Sequence, residues 1–239
     1  MRTIIKHKPK SIEDFKNRLL IWSQQFDDVV WLDSNHNKGK YGSYDAILAV
    51  DALTSIQTDY SNGFEKLKEY QSNVKDWIFG YLTYDLKNDL EWLQSNNHDG
   101  LQFPDLYFFQ PKKLFFIKGN TVKIKYLNAV HDVLEEDLLA IEKSNVHYVK
   151  QESNPVKIKL RIHKDEYFKK LDLMLAHILR GDIYEANFCQ EFYAENTRIA
   201  PLEVFLHLNK ISKPPFASFI KSKDKYLIIV YMLNISIRV

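Results

Sequence analysis

Residues 179–192 read LRGDIYEANFCQEF and mark the point where a long helix gives way to a different structure. The segment before it, HKDEYFKKLDLMLAHILRG (163–181), carries apolar residues at helical spacing and ends in a glycine that suits a left-handed helix stop. After the glycine, apolar and polar residues alternate, which predicts a strand. On that strand Glu185, Asn187 and Cys189 share one face. That face either contacts a ligand or lies in water, as in an ordinary antiparallel sheet.

The rest of the chain mixes helices and strands without a regular βαβ order, which favours an antiparallel arrangement. Gly119 and Asn120 separate two alternating runs and predict a hairpin. We predict an α+β fold with large mixed, mostly antiparallel sheets flanked by helices, and residues 183–192 as a central strand. The polar stretch NVHYVKQESNPVKIK predicts a division into residues 1–150 and residues 151–239. Helices are predicted over residues 11–26, 63–73, 132–144, 163–181 and 201–210.

Composition indicates a protein with ample material for a hydrophobic core: 45% of the 239 residues are apolar. The net charge is +2, from 33 basic and 31 acidic residues, so there is no electrostatic reason to expect nucleic acid or an anionic membrane as partner. A single cysteine, an N-terminus without an apolar signal region and no apolar run near roughly 20 residues predict a cytoplasmic protein without a membrane span.

Few motifs of a metal or phosphate site occur in the sequence. No two of the eight histidines are three or four residues apart, which excludes a helical zinc pair, and seven glycines leave little room for a phosphate loop. The acidic stretch YDLKNDLE (84–91) is interpreted as a solvated helical turn. Cys189 is interpreted as a strand residue, because its sequence context offers nothing to activate a thiol.

The segment GDIYEANFCQEF (181–192) resembles the Gly-Asp-Ile-Tyr-Gln-Val-Asn-Leu segment of the chorismate-utilising enzymes. This family includes anthranilate synthase component I, aminodeoxychorismate synthase component I and the isochorismate synthases. The following PLEVFLHLNKISKPPFASFI is similar to the Pro-Leu helix and Pro-Pro-Phe strand of the family, and VVWLDS, YDAILAV and WIFGYLTYDL are similar to its N-terminal landmarks. The resemblance covers nearly the whole chain and implies the fold of this family.

Two residues of the segment distinguish branches of the family. Asn187 matches the residue typical of the aminodeoxychorismate branch, whereas the anthranilate branch more often has valine there. Glu185 stands where isochorismate synthases have a lysine that activates water, and where the ammonia-using branches usually have glutamine. The resemblance therefore implies amination of chorismate to 4-amino-4-deoxychorismate, in the p-aminobenzoate and folate pathway, with Glu185 and Asn187 at the catalytic site. The alternative is an anthranilate synthase component I-like protein.

The resemblance also implies a cofactor and a partner. The partner is a glutamine amidotransferase subunit that supplies ammonia, and the cofactor is Mg²⁺. In the family, the Mg²⁺-binding glutamates and the Pro-Ile-Lys-Gly-Thr motif follow later in the sequence, and neither occurs here. From this we expect a truncated catalytic region that is inactive by itself.

A third hypothesis is a tryptophan-binding remnant without catalysis. Ser34, Tyr41, Pro215 and Phe216 match positions of a tryptophan pocket in the family. Aromatic and proline side chains suit an indole ring, although the same residue types are common in ordinary cores.

Overall fold

The computed structural model describes residues 1–37, 42–94, 96–144 and 155–230. These residues form two units, which are treated separately below. The first contains the described residues up to 144 and those from Pro201 onwards, and the second contains residues 155–200. The chain thus returns to the first unit at Pro201, whereas the predicted division places residues 151–239 together. As a division into family domains, that prediction stays untested.

Ten strands and five α-helices build the described part of the chain. The strands are β1 (Arg2–His7), β2 (Asp28–Asp33), β3 (Ala46–Thr58), β4 (Phe79–Leu82), β5 (Leu106–Lys118), β6 (Thr121–Leu127), β7 (Lys159–Leu160), β8 (Phe192–Tyr193), β9 (Ala217–Ser222) and β10 (Lys225–Ile229). The helices are α1 (Ile12–Ser23), α2 (Gly63–Val74), α3 (Leu134–Lys143), α4 (Lys164–Arg180) and α5 (Pro201–Ser212). Two short 3₁₀ helices span Tyr84–Asp89 and Asn128–Val133.

The first unit is built on an eight-stranded sheet within the described residues. Seven strands follow the order β1-β6-β5-β3-β2-β9-β10, and β4 also pairs with β5. Each of these pairs is antiparallel. The predicted hairpin is confirmed, since Lys118 pairs with Thr121 across Gly119 and Asn120. The predicted α+β class with a large antiparallel sheet flanked by helices is likewise confirmed.

One face of this sheet is covered by α1, α3 and α5. Leu19, Ile141 and Phe205, one from each helix, are fully buried in a single cluster with Trp31 and Phe115 of the strands. Burying side chains of this size stabilises the fold by roughly 1.5–3 kcal/mol each. The main core of the first unit therefore lies between the helices and one face of the sheet.

The alternating residues of the strands form a second apolar cluster on the opposite face. Val30, Ala49 and Phe116 are buried there with Phe79 of β4. The next residue, Gly80, permits a close approach of the two backbones. A Cβ atom at that position would lie 1.8 Å from a backbone carbonyl oxygen of β5.

An ion pair attaches the N-terminal strand to the rest of the first unit. The Arg2 guanidinium donates to the Asp76 carboxylate at 2.7 Å and to the backbone carbonyl of Pro111 at 2.5 Å. Burial raises the pKa of Asp76, but hydrogen bonds from Arg2 and Gln110 outweigh that effect, so its pKa is lowered overall.

The second unit contains α4 and the two-residue strands β7 and β8, which pair with each other. Arg161 holds this pair together: its guanidinium donates twice to the Glu191 carboxylate, at 2.9 Å each, and lies 4.0 Å from the ring centroid of Tyr193. No residue of α4 is buried, and Leu179 on its apolar stripe is 88% exposed. The unit thus leaves an amphipathic helix without a covering layer among the described residues.

The predicted central strand over residues 183–192 is wrong. Only Phe192 belongs to a strand, and residues 183–191 form an irregular segment that is mostly exposed. Apolar alternation produces a strand only where a neighbouring strand takes up the backbone hydrogen bonds, and no described strand lies beside this segment. Cys189, interpreted as a strand residue, is an exposed free thiol on the same segment.

Within the described ranges, no helix is both long enough and apolar enough to cross a membrane.

Candidate functional site

The segment after α4 begins at a well-defined helix stop. Gly181 has a φ of 82°, and the N–H groups of Gly181 and Asp182 donate to the carbonyls of Ile178 and His177 at 3.0 Å. The Asp182 carboxylate accepts from Arg180 at 2.6 Å and contacts Nδ1 of His177 at 2.7 Å. The predicted left-handed stop is confirmed, and these contacts fix the direction in which the chain leaves the helix.

The two predicted catalytic residues follow on the irregular segment. Glu185 and Asn187 are exposed, and neither makes a hydrogen bond or ion pair with another described residue. Residues near them are held more firmly: the Phe188 ring lies 4.9 Å from that of Tyr167, and the Gln190 amide donates to the Ile162 carbonyl at 3.0 Å. The carboxylate and the amide are therefore both free to contact a ligand, but the second unit does not enclose them.

Three of the four residues of the predicted tryptophan pocket lie at one corner of the first unit. Asp33 pairs with Ala217 in the antiparallel register of β2 and β9, so Ser34 and Phe216 leave the two strands at the same edge. Pro215 is half-buried there, whereas Phe216 is 80% exposed. We call Ser34, Pro215 and Phe216 the sheet corner. Tyr41 lies outside the described residues.

A buried ion pair lies directly beneath the sheet corner. Nζ of Lys16 on α1 lies 3.0 and 3.2 Å from the two oxygens of the Asp33 carboxylate, and the two side chains are only 8% and 7% exposed. Asp33 also accepts the backbone N–H of Asn35 at 2.8 Å. The exposed Glu13 carboxylate is more distant, at 4.0 Å from Lys16. The Asp33 carboxylate thus binds α1 through Lys16, and it begins the turn that follows β2 by accepting the N–H of Asn35.

Paired amides attach this turn to the end of α5. Asn35 and Asn209 donate to each other through their side-chain amides, at 2.8 and 3.0 Å, and Asn35 also donates to the carbonyl of Pro214 at 2.8 Å. Asn35 has a φ of 49°, in the left-handed region that asparagine tolerates better than most residues. These contacts place the 34–37 turn beside the loop that carries Pro215.

Sequence reasoning missed this network. Lys16 reads as part of an ordinary amphipathic helix, and Asn35 and Asn209 are 174 residues apart. The only available signal was an aspartate that ends a run of buried strand residues, where a charge requires a partner.

The described part of the chain contains no group of three His, Cys, Asp or Glu side chains arranged to hold a metal ion. Mg²⁺ requires several oxygen ligands in near-octahedral geometry. Glu185 has no second carboxylate gathered around it among these residues. The residues present therefore do not fit Mg²⁺, and no chemical step is assigned to it here.

Comparison with known proteins identifies the family. Residues 19–230 match the chorismate binding enzyme family, and the chain belongs to that family. An anthranilate synthase component I-like protein of Synechocystis sp. is 26% identical over 151 residues, which are 61% of this chain and 30% of that protein.

Among solved structures, the menaquinone-specific isochorismate synthase MenF of Escherichia coli aligns with a TM-score of 0.48 and 9% identity, over 94% of this chain and 49% of that one. The chain thus spans less than half the length of both proteins.

Proposed function

We propose that the chain supplies part of an enzyme that aminates chorismate to 4-amino-4-deoxychorismate. The observation that carries this proposal is Asn187, the residue typical of that branch, within a chain that matches the chorismate binding enzyme family over residues 19–230. The family match supports chorismate as the substrate. The assignment to the aminodeoxychorismate branch rests on the 181–192 segment. The alternative is an anthranilate-forming enzyme.

Glu185 and Asn187 have distinct roles in this proposal. The Asn187 amide can donate and accept hydrogen bonds at once, which suits it to orient a substrate that bears carboxylate and hydroxyl groups. The Glu185 carboxylate accepts hydrogen bonds only, so it can orient an ammonia molecule through its N–H groups. Glu185 cannot replace the lysine with which isochorismate synthases activate water, and this favours amination over hydration.

Ammonia in this scheme comes from a glutamine amidotransferase partner, as the resemblance implies. Mg²⁺ is a cofactor on the same basis, and its ligands are not among the described residues. Because Glu185 and Asn187 are open to water, we expect this chain alone not to turn over chorismate.

The experiment is a fusion of residues 1–230 to the part of the Synechocystis relative that follows the position matching residue 230. The fusion is given chorismate, ammonium and Mg²⁺, and chorismate loss is measured. We expect turnover by the fusion and none by the 239-residue chain. Asn187→Val in the fusion should lower kcat/KM for 4-amination about tenfold or more, if the amide makes a hydrogen bond specific to the transition state. Equal kcat/KM for the two fusions would contradict the role of Asn187.

A second candidate function, tryptophan binding, is favoured by the sheet corner. There Ser34, Pro215 and Phe216 lie together above the buried Lys16–Asp33 ion pair. The exposed Phe216 ring is free to cover an indole. Calorimetric titration with L-tryptophan tests it, with Phe216→Ala as the variant and Phe168→Ala, another exposed phenylalanine, as the control. Saturable binding that only Phe216→Ala removes would support a regulatory site.

A further inference from the structure

The segment of the second unit that carries Glu185 and Asn187 has no sheet to hold it. We call residues 182–191, which connect α4 to β8, the return segment. Among the described residues, no backbone N–H or C=O of residues 183–190 is paired with another backbone group. Such a chain keeps much of its conformational freedom unless its ends are held in place. The two ends of the return segment therefore decide how Glu185 and Asn187 are placed.

The first end of the return segment is fixed to the last turn of α4. The N–H groups of Gly181 and Asp182 bond to carbonyl oxygens of that turn at 3.0 Å. The Asp182 carboxylate also accepts two hydrogen bonds from the Arg180 guanidinium, at 3.1 and 2.6 Å. The chain therefore leaves the helix in one direction.

The other end is fixed close to the start of α4. The backbone N–H of Arg161 donates to the carbonyl of Glu191 at 3.0 Å. The Arg161 guanidinium binds the Glu191 carboxylate through two further hydrogen bonds of 2.9 Å. A bidentate pair of this kind fixes geometry as well as charge. Arg161 thus holds both the backbone and the side chain of Glu191, just before the helix cap His163.

The length of α4 leaves the return segment little slack. Tyr167, near the start of α4, and Gly181, at its end, are separated by about 21 Å along the helix axis. The Phe188 ring nevertheless lies 4.9 Å from the Tyr167 ring. From Asp182 to Phe188 the chain reaches at most roughly 20–22 Å when fully extended, and only about 9 Å as a helix. The return segment therefore runs back along α4 in an extended conformation.

An extended chain places alternate side chains on opposite sides. Phe188, which packs on α4, and Gln190, whose amide donates to the carbonyl of Ile162 at 3.0 Å, are half-buried on one side. Asn187 lies on the other side and is exposed, as is Glu185 two residues before it. The return segment thus presents the carboxylate and the amide away from α4, with their Cα atoms about 7 Å apart.

We propose that Arg161 is a positioning residue for Glu185 and Asn187. By holding Glu191, it keeps the return segment stretched along α4 and thereby fixes where the carboxylate and the amide meet the substrate. This proposal rests on the proposed function of Glu185 and Asn187. It adds a residue that acts through the backbone rather than on the substrate.

The first measurement needs no activity and uses the 239-residue chain. NMR relaxation gives the order parameters of the backbone amides of Glu185 and Asn187, which are about 0.85 in a rigid backbone and below about 0.6 in a flexible one. We expect values close to the rigid limit in the unmodified chain. Arg161→Glu turns the attraction to Glu191 into a repulsion and should lower both values below about 0.6.

Two further variants show whether the effect belongs to this ion pair. The double variant Arg161→Glu/Glu191→Arg reverses the pair and should restore the order parameters. Lys159→Glu is the matched control, since it reverses the same charge in the exposed pair of Lys159 with Glu195, at 2.6 Å, outside the return segment. The control should leave the order parameters unchanged. Circular dichroism verifies that each variant is folded.

The second measurement uses the fusion that tests the proposed function. Arg161→Glu should lower kcat/KM for 4-amination about tenfold, because a displaced catalytic group loses much of its effect. Asn187→Val should then cost less than about threefold in the Arg161→Glu fusion, against about tenfold or more in the parental fusion. A general loss of structure would instead leave the cost of Asn187→Val unchanged.

Flexible amides at residues 185 and 187 in the unmodified chain, unchanged order parameters in Arg161→Glu, or an equal fall in Lys159→Glu would overturn the inference. Additive costs of Arg161→Glu and Asn187→Val would overturn it as well. If the parental fusion forms no 4-amino product, the proposed amination fails, and the order parameters alone decide whether Arg161 holds the return segment.

Discussion

Replacing Asp33 by asparagine tests the buried ion pair between Lys16 and Asp33 beneath the sheet corner. Asparagine has nearly the same shape and keeps an oxygen that can accept the N–H of Asn35, but it has no charge. The Lys16 ammonium, only 8% exposed, would then be buried beside a neutral amide. Removing one partner of a buried ion pair costs about 3–5 kcal/mol, because the other charge is left uncompensated.

This loss is large against a typical domain stability of about 5–15 kcal/mol. With a urea m-value of about 2 kcal/mol per molar, Asp33→Asn should lower the denaturation midpoint by about 2 M. The matched control is Asp14→Asn, which breaks the exposed pair with Arg18 on the same helix and should cost at most about 1 kcal/mol. The double variant Lys16→Met/Asp33→Asn removes both buried charges and should recover much of the lost stability.

The measurement is equilibrium urea unfolding of the two single variants, the double variant and the control. A loss under about 1 kcal/mol for Asp33→Asn would show that the pair is accessible to water. If the losses of unfolding free energy in Lys16→Met and Asp33→Asn add up to the loss in the double variant, the two side chains do not interact. Either result would refute the reasoning about this network.

Gly80→Ala should destabilise the first unit by more than about 2 kcal/mol in urea unfolding, because the added methyl would lie 1.8 Å from a carbonyl oxygen of β5; a change within about 0.5 kcal/mol would contradict that close approach. Ile229→Lys should improve solubility in a precipitation assay, since this 44% exposed residue lies on β10, which is an edge strand among the described residues. Leu227→Lys should lower stability, because Leu227 packs on the second cluster. A loss of stability with Ile229→Lys but not with Leu227→Lys would show that the Ile229 face of β10 is covered. Asp76 has a lowered pKa in the folded state, so its contribution to the free energy of unfolding is present above its unfolded pKa and is lost as the pH falls below about 4. Asp76→Asn should therefore reduce the loss of stability at acid pH. An unchanged loss would show that the Arg2–Asp76 pair is not its origin.

Features governed by near neighbours were predictable from the sequence. Ser11 caps α1 by accepting the N–H of Asp14 at 3.2 Å, and Gly181 ends α4 with a left-handed φ. The two-residue hairpin at Gly119 follows from the same kind of local chemistry. Each of these signals lies within a few residues of the structure it determines.

Features that depend on distant partners were not predictable. The pairing of β9 with β2, which forms the sheet corner, joins Ile220 to Val30, and nothing in either strand identifies the other. The strand predicted over residues 183–192 is wrong for the converse reason: the alternating pattern fits a strand, but no described strand pairs with residues 183–191. The stretch 84–91 was interpreted as a solvated turn, whereas Tyr84–Asp89 forms a 3₁₀ helix in which Leu86 is buried.

The identity of the product formed by the fusion of residues 1–230 with the remainder of the Synechocystis relative tests the proposed function most directly. Chromatography after incubation with chorismate, ammonium and Mg²⁺ separates the 4-amino and 2-amino products, and the intact Synechocystis protein serves as the reference. The account predicts 4-amino-4-deoxychorismate from the fusion. Anthranilate or isochorismate as the main product, or no turnover at all, would contradict it.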